Sequence, residues 1–175
     1  MRAFGILAVA FAAFAADCPC DPAVPETMKI RQCSLCSEAE AQPADVDIFF
    51  LKDINQRKPN RLLALPRMHG SAQHHLHDMP LAARTRLWTA AIEKAKSLWG
   101  DAWGVAYNGE KVRTQCHTHF HIGKLIDGIE TENFKVVSDP SQIPAPPGEG
   151  LWIHPAGREL HVHLGEQTTE TVLLR

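Results

Sequence analysis

The chain has no excess of basic charge. Its 18 lysines and arginines face 20 aspartates and glutamates, for a formal charge of −2. A nucleic-acid binder would normally show the reverse balance, so that class is set aside. No apolar run reaches the roughly 20 residues that span a bilayer as a helix. No amphipathic membrane-binding helix is evident. Repeats and low-complexity segments are also lacking, which leaves an ordinary globular chain. At 175 residues, with 45% hydrophobic and 22% charged residues, one domain with a real core is expected. What the chain has in abundance is histidine, ten in all, together with five cysteines.

The first residues read as an export signal. Arg2 supplies the positive start, Ala3 to Ala16 is apolar or small, and Ala13-Phe14-Ala15 offers a cleavage site. Residues 1–16 are therefore expected to be removed and the protein to work outside the cytoplasm, periplasmic or secreted. An uncleaved anchor is the alternative. A lipoprotein site at Cys18 fits poorly, because Asp17 precedes it. Export favours disulfides among Cys18, Cys20, Cys33, Cys36 and Cys116. The odd count leaves at least one thiol free, metal-bound or paired between chains.

Residues 17–45 are expected to be an irregular lead-in, with Pro19, Pro22, Pro25 and Pro43. Ile48 to Leu51 and Arg61 to Leu65 read as two strands of a hairpin, the second stopped by Pro66. Residues 69–79 read as a solvent-exposed polar loop with His69, His74, His75 and His77. Pro80 opens a helix whose apolar stripe runs from Leu81 to Leu98 and which Gly100 ends. Trp103 to Tyr107 is strand-like, Asn108-Gly109 is a turn, and a strand from Cys116 to Leu125 carries the histidine run. Residues 139–150 are a loop. Three further strands are expected at 151–154, 159–164 and 171–174. The fold class is α+β, an antiparallel sheet with one main helix packed on it. Residues 46–126 form its catalytic part and 127–175 a β extension of the same domain.

The run His117-Thr118-His119-Phe120-His121 is the chemical signal. On a strand, alternate side chains share a face. His117, His119 and His121 then line one face, while Thr118, Phe120 and Ile122 face a core. Two other readings of the row stay open. It could be a polar solvent face, or a metal site in which histidines two apart share one zinc.

Asn108, Gly109, Arg113, Thr114 and Gln115 precede this run. With them the chain resembles the histidine-triad superfamily, and within it the CDP-diacylglycerol pyrophosphatase family. The matching stretches are Leu51-Lys52-Asp53-Ile54-Asn55, Arg61 to Pro66, Asn108, and Arg113-Thr114-Gln115 leading into His117. The resemblance covers residues 46–125. It implies a hydrolase in which His119 attacks phosphorus and a nucleotidyl-histidine is then cleaved by water, releasing a nucleoside monophosphate. It also implies that His121 and Gln115 assist catalysis, and that Asn108, Arg113, Thr114 and His117 contact the phosphate. The implied substrate is a nucleotide diphosphate ester, which could be lipid-linked. Homodimers are common in the superfamily. Some members bind a structural zinc through a cysteine pair, a histidine after the second strand and the first triad histidine. The corresponding residues here are Cys33, Cys36, His69 and His117. The rival is a disulfide, either Cys33 to Cys36 or a bridge from Cys18 or Cys20. Cys116 is expected to be a small buried residue.

The remaining histidines read more blandly. His154, His161 and His163 are expected on a polar strand face, with a second metal as the alternative. Trp88, Trp99, Trp103 and Trp152 are expected in the core, with base stacking as the alternative for Trp103 and Trp152. Two rival functions remain open for the chain. One is a hydrolase with a zinc-activated water held by the triad histidines. The other is an exported metal binder without activity.

Overall fold

The structure, a computed structural model, describes residues 18–67 and 74–175. The expected signal segment and His69 lie outside the described residues. Two short helices come first, α1 (Pro25–Met28) and α2 (Ser34–Glu40). Strands β1 (Ile48–Lys52) and β2 (Leu62–Pro66) follow, then the long helix α3 (Leu81–Trp99). After it come β3 (Trp103–Tyr107), β4 (Phe120–Lys124), β5 (Phe134–Val137), β6 (Gly150–Ala156) and β7 (Glu159–Glu166). The strands form one antiparallel sheet in the order β1-β2-β4-β3-β6-β7-β5. The chain is thus α+β with one main helix. The segment after residue 126 continues the same sheet.

The two faces of the sheet do different work. Leu87, Trp88, Ala91 and Ala95 of α3 bury one face, against Val105, Phe120, Ile122, Ile153 and Val162. Trp88 stacks on Phe120 with ring centroids 3.8 Å apart. Each such large side chain, fully buried, contributes about 1.5–3 kcal/mol. Strand alternation turns the neighbouring residues to the other face. There Leu63, His121, Ala106, Trp152 and His163 stand directly opposite one another across the ladders, in one row over five strands.

That second face is covered piecemeal. Over β1 and β2, Leu35 and Ala39 of α2 pack on Phe49, Leu63 and Leu65. Over β3 and β6, Val172 and Leu173 pack on Ala106 and Trp152. Leu173 sits above two glycines paired across β3 and β4, Gly104 and Gly123. A β-carbon at Gly104 would stand 2.6 Å from Leu173 Cδ2, and one at Gly123 would stand 3.2 Å from Leu173 Cβ. The uncovered gap between these two patches holds His121.

Several expectations are corrected. The lead-in is not irregular, since α1 and α2 occupy part of it. Pro25 sits in the first turn of α1, where its missing N–H costs nothing. The disulfide Cys18–Cys116 ties the lead-in to the residues before β4, and Cys20–Cys33 closes a loop within the lead-in. Cys116 is therefore buried but cross-linked. Its N–H donates to Gln32 O at 2.8 Å, which draws residues 116–119 off the sheet, so β4 begins only at Phe120. The segment 171–174 is a 3-10 turn, Thr169–Val172, followed by a single bridge between Leu125 and Leu173. Strand β5, an edge strand with exposed Phe134 and Val136, was not expected at all. Of the described loop histidines, His74 is buried and His75 and His77 are half-buried. Glu110 Oε1 lies 2.8 Å from His75 Nδ1 and 3.5 Å from His77 Nδ1, because the loop folds against the turn after β3. The tryptophans are core, with Trp88, Trp103 and Trp152 fully buried and Trp99 packed at the edge.

Candidate active site

The gap on the second face is a cleft of about 570 Å³. That volume lies within the range of small-molecule sites, about 300–1,000 Å³. His119 and His121 line it from β4 and the residue before it, with ring centroids 5.1 Å apart. Asn108, at the end of β3, lines it beside them, and so do Arg113, Thr114 and Gln115. Leu35, Leu51 and Leu63 form an apolar wall. Four cationic side chains (Arg31, Lys52, Lys58 and Arg113) and three carboxylates (Glu38, Asp53 and Glu170) complete the lining.

The protonation of His119 follows from its partners. Its Nδ1 lies 2.8 Å from His117 O. A carbonyl only accepts, so Nδ1 carries the proton and Nε2 keeps its lone pair. Burial pushes the ring down to about 4, with the Arg113 charge adding to the effect. The imidazole is therefore neutral across the physiological range, and it presents a bare nitrogen at the cleft.

His121 is held by a different device. The backbone N–H of Glu170 donates to Asn108 Oδ1 at 3.0 Å, and Thr169 Oγ1 donates to the same atom at 3.3 Å. These donors fix the amide orientation and turn Asn108 Nδ2 toward His121 Nε2, 3.4 Å away. The amide nitrogen can only donate, so His121 Nε2 accepts and Nδ1 carries the proton. That Nδ1 faces Glu170 Oε2 at 3.4 Å and Asp53 Oδ2 at 4.0 Å. Burial nonetheless dominates and holds His121 well below its ordinary value, with His119, Lys58 and Arg61 pushing the same way. Glu170 is neutralised by Lys58 at 2.5 Å and by buried Arg61 at 3.1 Å. Arg61 also donates to Leu173 O and Leu174 O, which fastens the segment carrying Glu170 to β2.

The expected site residues separate into two groups. His119, His121, Asn108, Arg113, Thr114 and Gln115 are brought together at the cleft. His117 is not. It is fully buried, its Nε2 donates to Pro66 O at 2.7 Å, and it serves the site through its carbonyl. Residues 116–119 precede the strand, and of the three imidazoles only His119 and His121 reach the cleft. Gln115 reaches the cleft, but its amide clamps the lead-in. Ser34 Oγ donates to its Oε1 at 2.9 Å, and its Nε2 donates to Arg31 O at 3.0 Å. Arg113 Nη1 donates to Tyr107 Oη at 2.6 Å. Asp53, Lys58 and Glu170 were missed. Asp53 stood within the quoted stretch Leu51 to Asn55, whereas no local pattern marked Glu170.

The cysteine pair is also corrected. Cys33 Sγ is bonded to Cys20, so it supplies no thiolate for a knuckle with Cys36, His69 and His117. Cys36 is the free thiol, and burial pushes it up to about 11, which keeps its proton on. Metal-capable groups do exist among the described residues. Ligand atoms lie within 4.8 Å of one another in three sets: Glu130/His154/His161/His163, Cys20/Cys33/Cys116, and Asp53/His121/Glu170. The cysteine set is consumed by the disulfides. The third set already has two cations on Glu170.

No helix among the described residues is long and apolar enough to cross a membrane. Comparison with protein families finds no matching family model, and comparison with curated proteins finds no match.

Proposed function

We propose that the protein is an exported phosphoanhydride hydrolase of the histidine-triad type. The observation that carries this reading is the bare Nε2 of a neutral, buried imidazole, His119, at a nucleotide-sized cleft lined by cationic groups. In the proposed reaction, His119 Nε2 bonds to a phosphorus of a nucleotide diphosphate ester. The bond from that phosphorus to the bridging oxygen breaks, and the leaving phosphate departs with its electron pair. Water then attacks the nucleotidyl-histidine, the N–P bond breaks with its electron pair returning to Nε2, and a nucleoside monophosphate leaves while the water's proton passes to solvent. His117 O stabilises the Nδ1–H of the charged intermediate. Arg113 and its cationic neighbours offset charge on the equatorial oxygens, where most of the rate should arise. Asn108 and Glu170 position His121 as the second wall.

CDP-diacylglycerol is the proposed substrate on the strength of the sequence resemblance, and the apolar wall of the cleft suits an acyl portion. Export rests on the N-terminal pattern, and the two disulfides are compatible with it. The metal-dependent reading would place an ion among Asp53, His121 and Glu170. It is less favoured, because Lys58 and Arg61 already occupy the Glu170 carboxylate.

The test is a screen of nucleoside diphosphate esters, CDP-diacylglycerol included, with the wild type and His119→Ala, reading released nucleoside monophosphate. The variant should lose more than about a thousandfold in turnover while keeping its fold. Full activity in His119→Ala would reject the reading.

A further inference from the structure

A second histidine set lies on the same sheet face, outside the cleft. The β6–β7 hairpin turns at Gly157 and Arg158, which pairs His154 with His161 across the ladder. His163, two residues on, shares their face and pairs with Trp152. The Trp152 ring lies 3.7 Å from the His163 ring at an interplanar angle of 6°, which fixes the plane of that imidazole. Glu130, in the connection between β4 and β5, reaches into the group. Its Oε1 lies 2.9 Å from His161 Nδ1 and 3.2 Å from His163 Nε2, and its Oε2 lies 3.1 Å from His154 Nε2.

These atoms conflict as they stand. His154 Nδ1 lies 3.1 Å from Pro155 O, a carbonyl that only accepts. Nδ1 therefore carries a proton, and in the neutral ring Nε2 presents a lone pair. That lone pair faces a carboxylate oxygen at 3.1 Å and His163 Nε2 at 3.2 Å. A proton on His163 Nε2 relieves one contact but leaves His154 Nε2 and Glu130 Oε2 as two acceptors in opposition. A single cation at the centre removes every conflict.

We propose that Glu130, His154, His161 and His163 bind one divalent transition ion of the zinc class, which ties the β4–β5 connection to the β6–β7 hairpin. The geometry suits it. Metal–ligand bonds of about 2.0–2.1 Å in a tetrahedron place the ligand atoms about 3.3 Å apart. With Glu130 Oε1 as the carboxylate ligand, three of the six edges are 2.9, 3.2 and 3.2 Å, and ligand atoms of the four side chains all lie within 4.8 Å of one another. The chemistry suits it too, since three imidazoles and one carboxylate are ligands of a borderline divalent ion rather than of calcium or magnesium. The outer shell is in place. His163 Nδ1 lies 2.7 Å from Thr131 Oγ1, and His154 Nδ1 donates to Pro155 O, as ligating histidines usually require. Four protein ligands close the coordination, so the ion is structural.

The test uses the full protein without a polyhistidine tag, freed of metal by chelator and dialysed. Zn²⁺ is titrated in competition with a chromogenic chelator, and Co²⁺ by its visible ligand-field band. The wild type, His119→Ala and Cys36→Ser should each bind one equivalent with a four-coordinate Co²⁺ spectrum. Glu130→Gln and His161→Ala should bind more than about tenfold more weakly and lose that spectrum. Both altered side chains are partly exposed, so the variants should fold, which circular dichroism checks. Thr131→Val removes only the outer hydroxyl and should weaken binding by a smaller factor. Absence of saturable binding in the wild type, or binding unaffected by all three of these substitutions, would overturn the proposal.

Discussion

Two pairs of neighbouring histidines project from one face of one sheet, and they are held in opposite ways. His119 and His121 stand over β4, while His161 and His163 stand on β7, three strand spacings away, about 14 Å. In the cleft, each ring gives its Nδ1 proton to a protein oxygen or faces one, and the two rings meet edge to face. Each Nε2 has its own surroundings. On the hairpin, three rings and a carboxylate converge on one point. The spacing in sequence is the same, one residue between histidines. The difference comes from what the rest of the chain brings over each pair. An open gap with Arg113 beside a bare nitrogen suits attack on phosphorus, and a closed knot of acceptors suits a bound cation.

The comparison can be broken or sharpened by experiment. The largest effect should come from the lead-in, which forms a wall of the cleft. Cys18→Ala with Cys116→Ala removes a bridge spanning 98 residues. We expect the protein to lose about 2–5 kcal/mol in urea denaturation. Nucleotide ester turnover should fall, while the stoichiometry of zinc binding stays at one. A loss of zinc binding with retained turnover would reverse the assignment of the two regions.

Asn108→Ala should be milder. It frees His121 and leaves the Glu170 N–H and Thr169 hydroxyl without their acceptor. Displacing the second wall should lower kcat about 10- to 100-fold with KM changed only a few-fold. An unchanged kcat in steady-state kinetics would remove Asn108 from the positioning role.

A gradual effect is expected from pH. His119 has its folded value lowered to about 4 by burial, whereas in the unfolded chain it titrates near 6.5. Between those values the unfolded state binds the proton and the folded state does not. Stability is therefore complete above about 6.5 and is lost as pH falls toward 4, by about 1.4 kcal/mol per pH unit for this one ring. His119→Gln should flatten that slope in denaturation curves recorded from pH 7 to 4. An identical slope in the variant would show that the ring is not held neutral.

Much of the frame was legible in the sequence because it rests on local periodicity. The β1–β2 hairpin, the helix from Leu81, its stop at Gly100 and the strand Trp103–Tyr107 all follow from alternation, apolar stripes and turn residues. His119 and His121 were legible for the same reason. Long-range pairing was not. Cysteine spacing could not choose between a Cys33–Cys36 knuckle and bridges to Cys18 and Cys20. The bond from Cys116 N–H to Gln32 O, beside the Cys18–Cys116 bridge, goes with His117 lying before the strand and serving through its carbonyl. Glu170 reaches the cleft paired with Arg61, 109 residues away in sequence. The cluster at His154 was partly legible. A turn centred on Gly157 and Arg158 places residues 154 and 161 opposite each other by simple counting, but nothing in the sequence placed Glu130 between them.

Leu173 above Gly104 and Gly123 has a further consequence. A catalytic wall is usually credited to the groups it presents, yet this one depends on two methyl-sized vacancies beneath a leucine. Substituting alanine at either position touches no reacting atom. It would lift the leucine, tilt the turn behind it and swing a carboxylate away from an imidazole. In a mutational scan Gly104 should therefore register a cost for reasons of clearance alone, and Gly123 a smaller one.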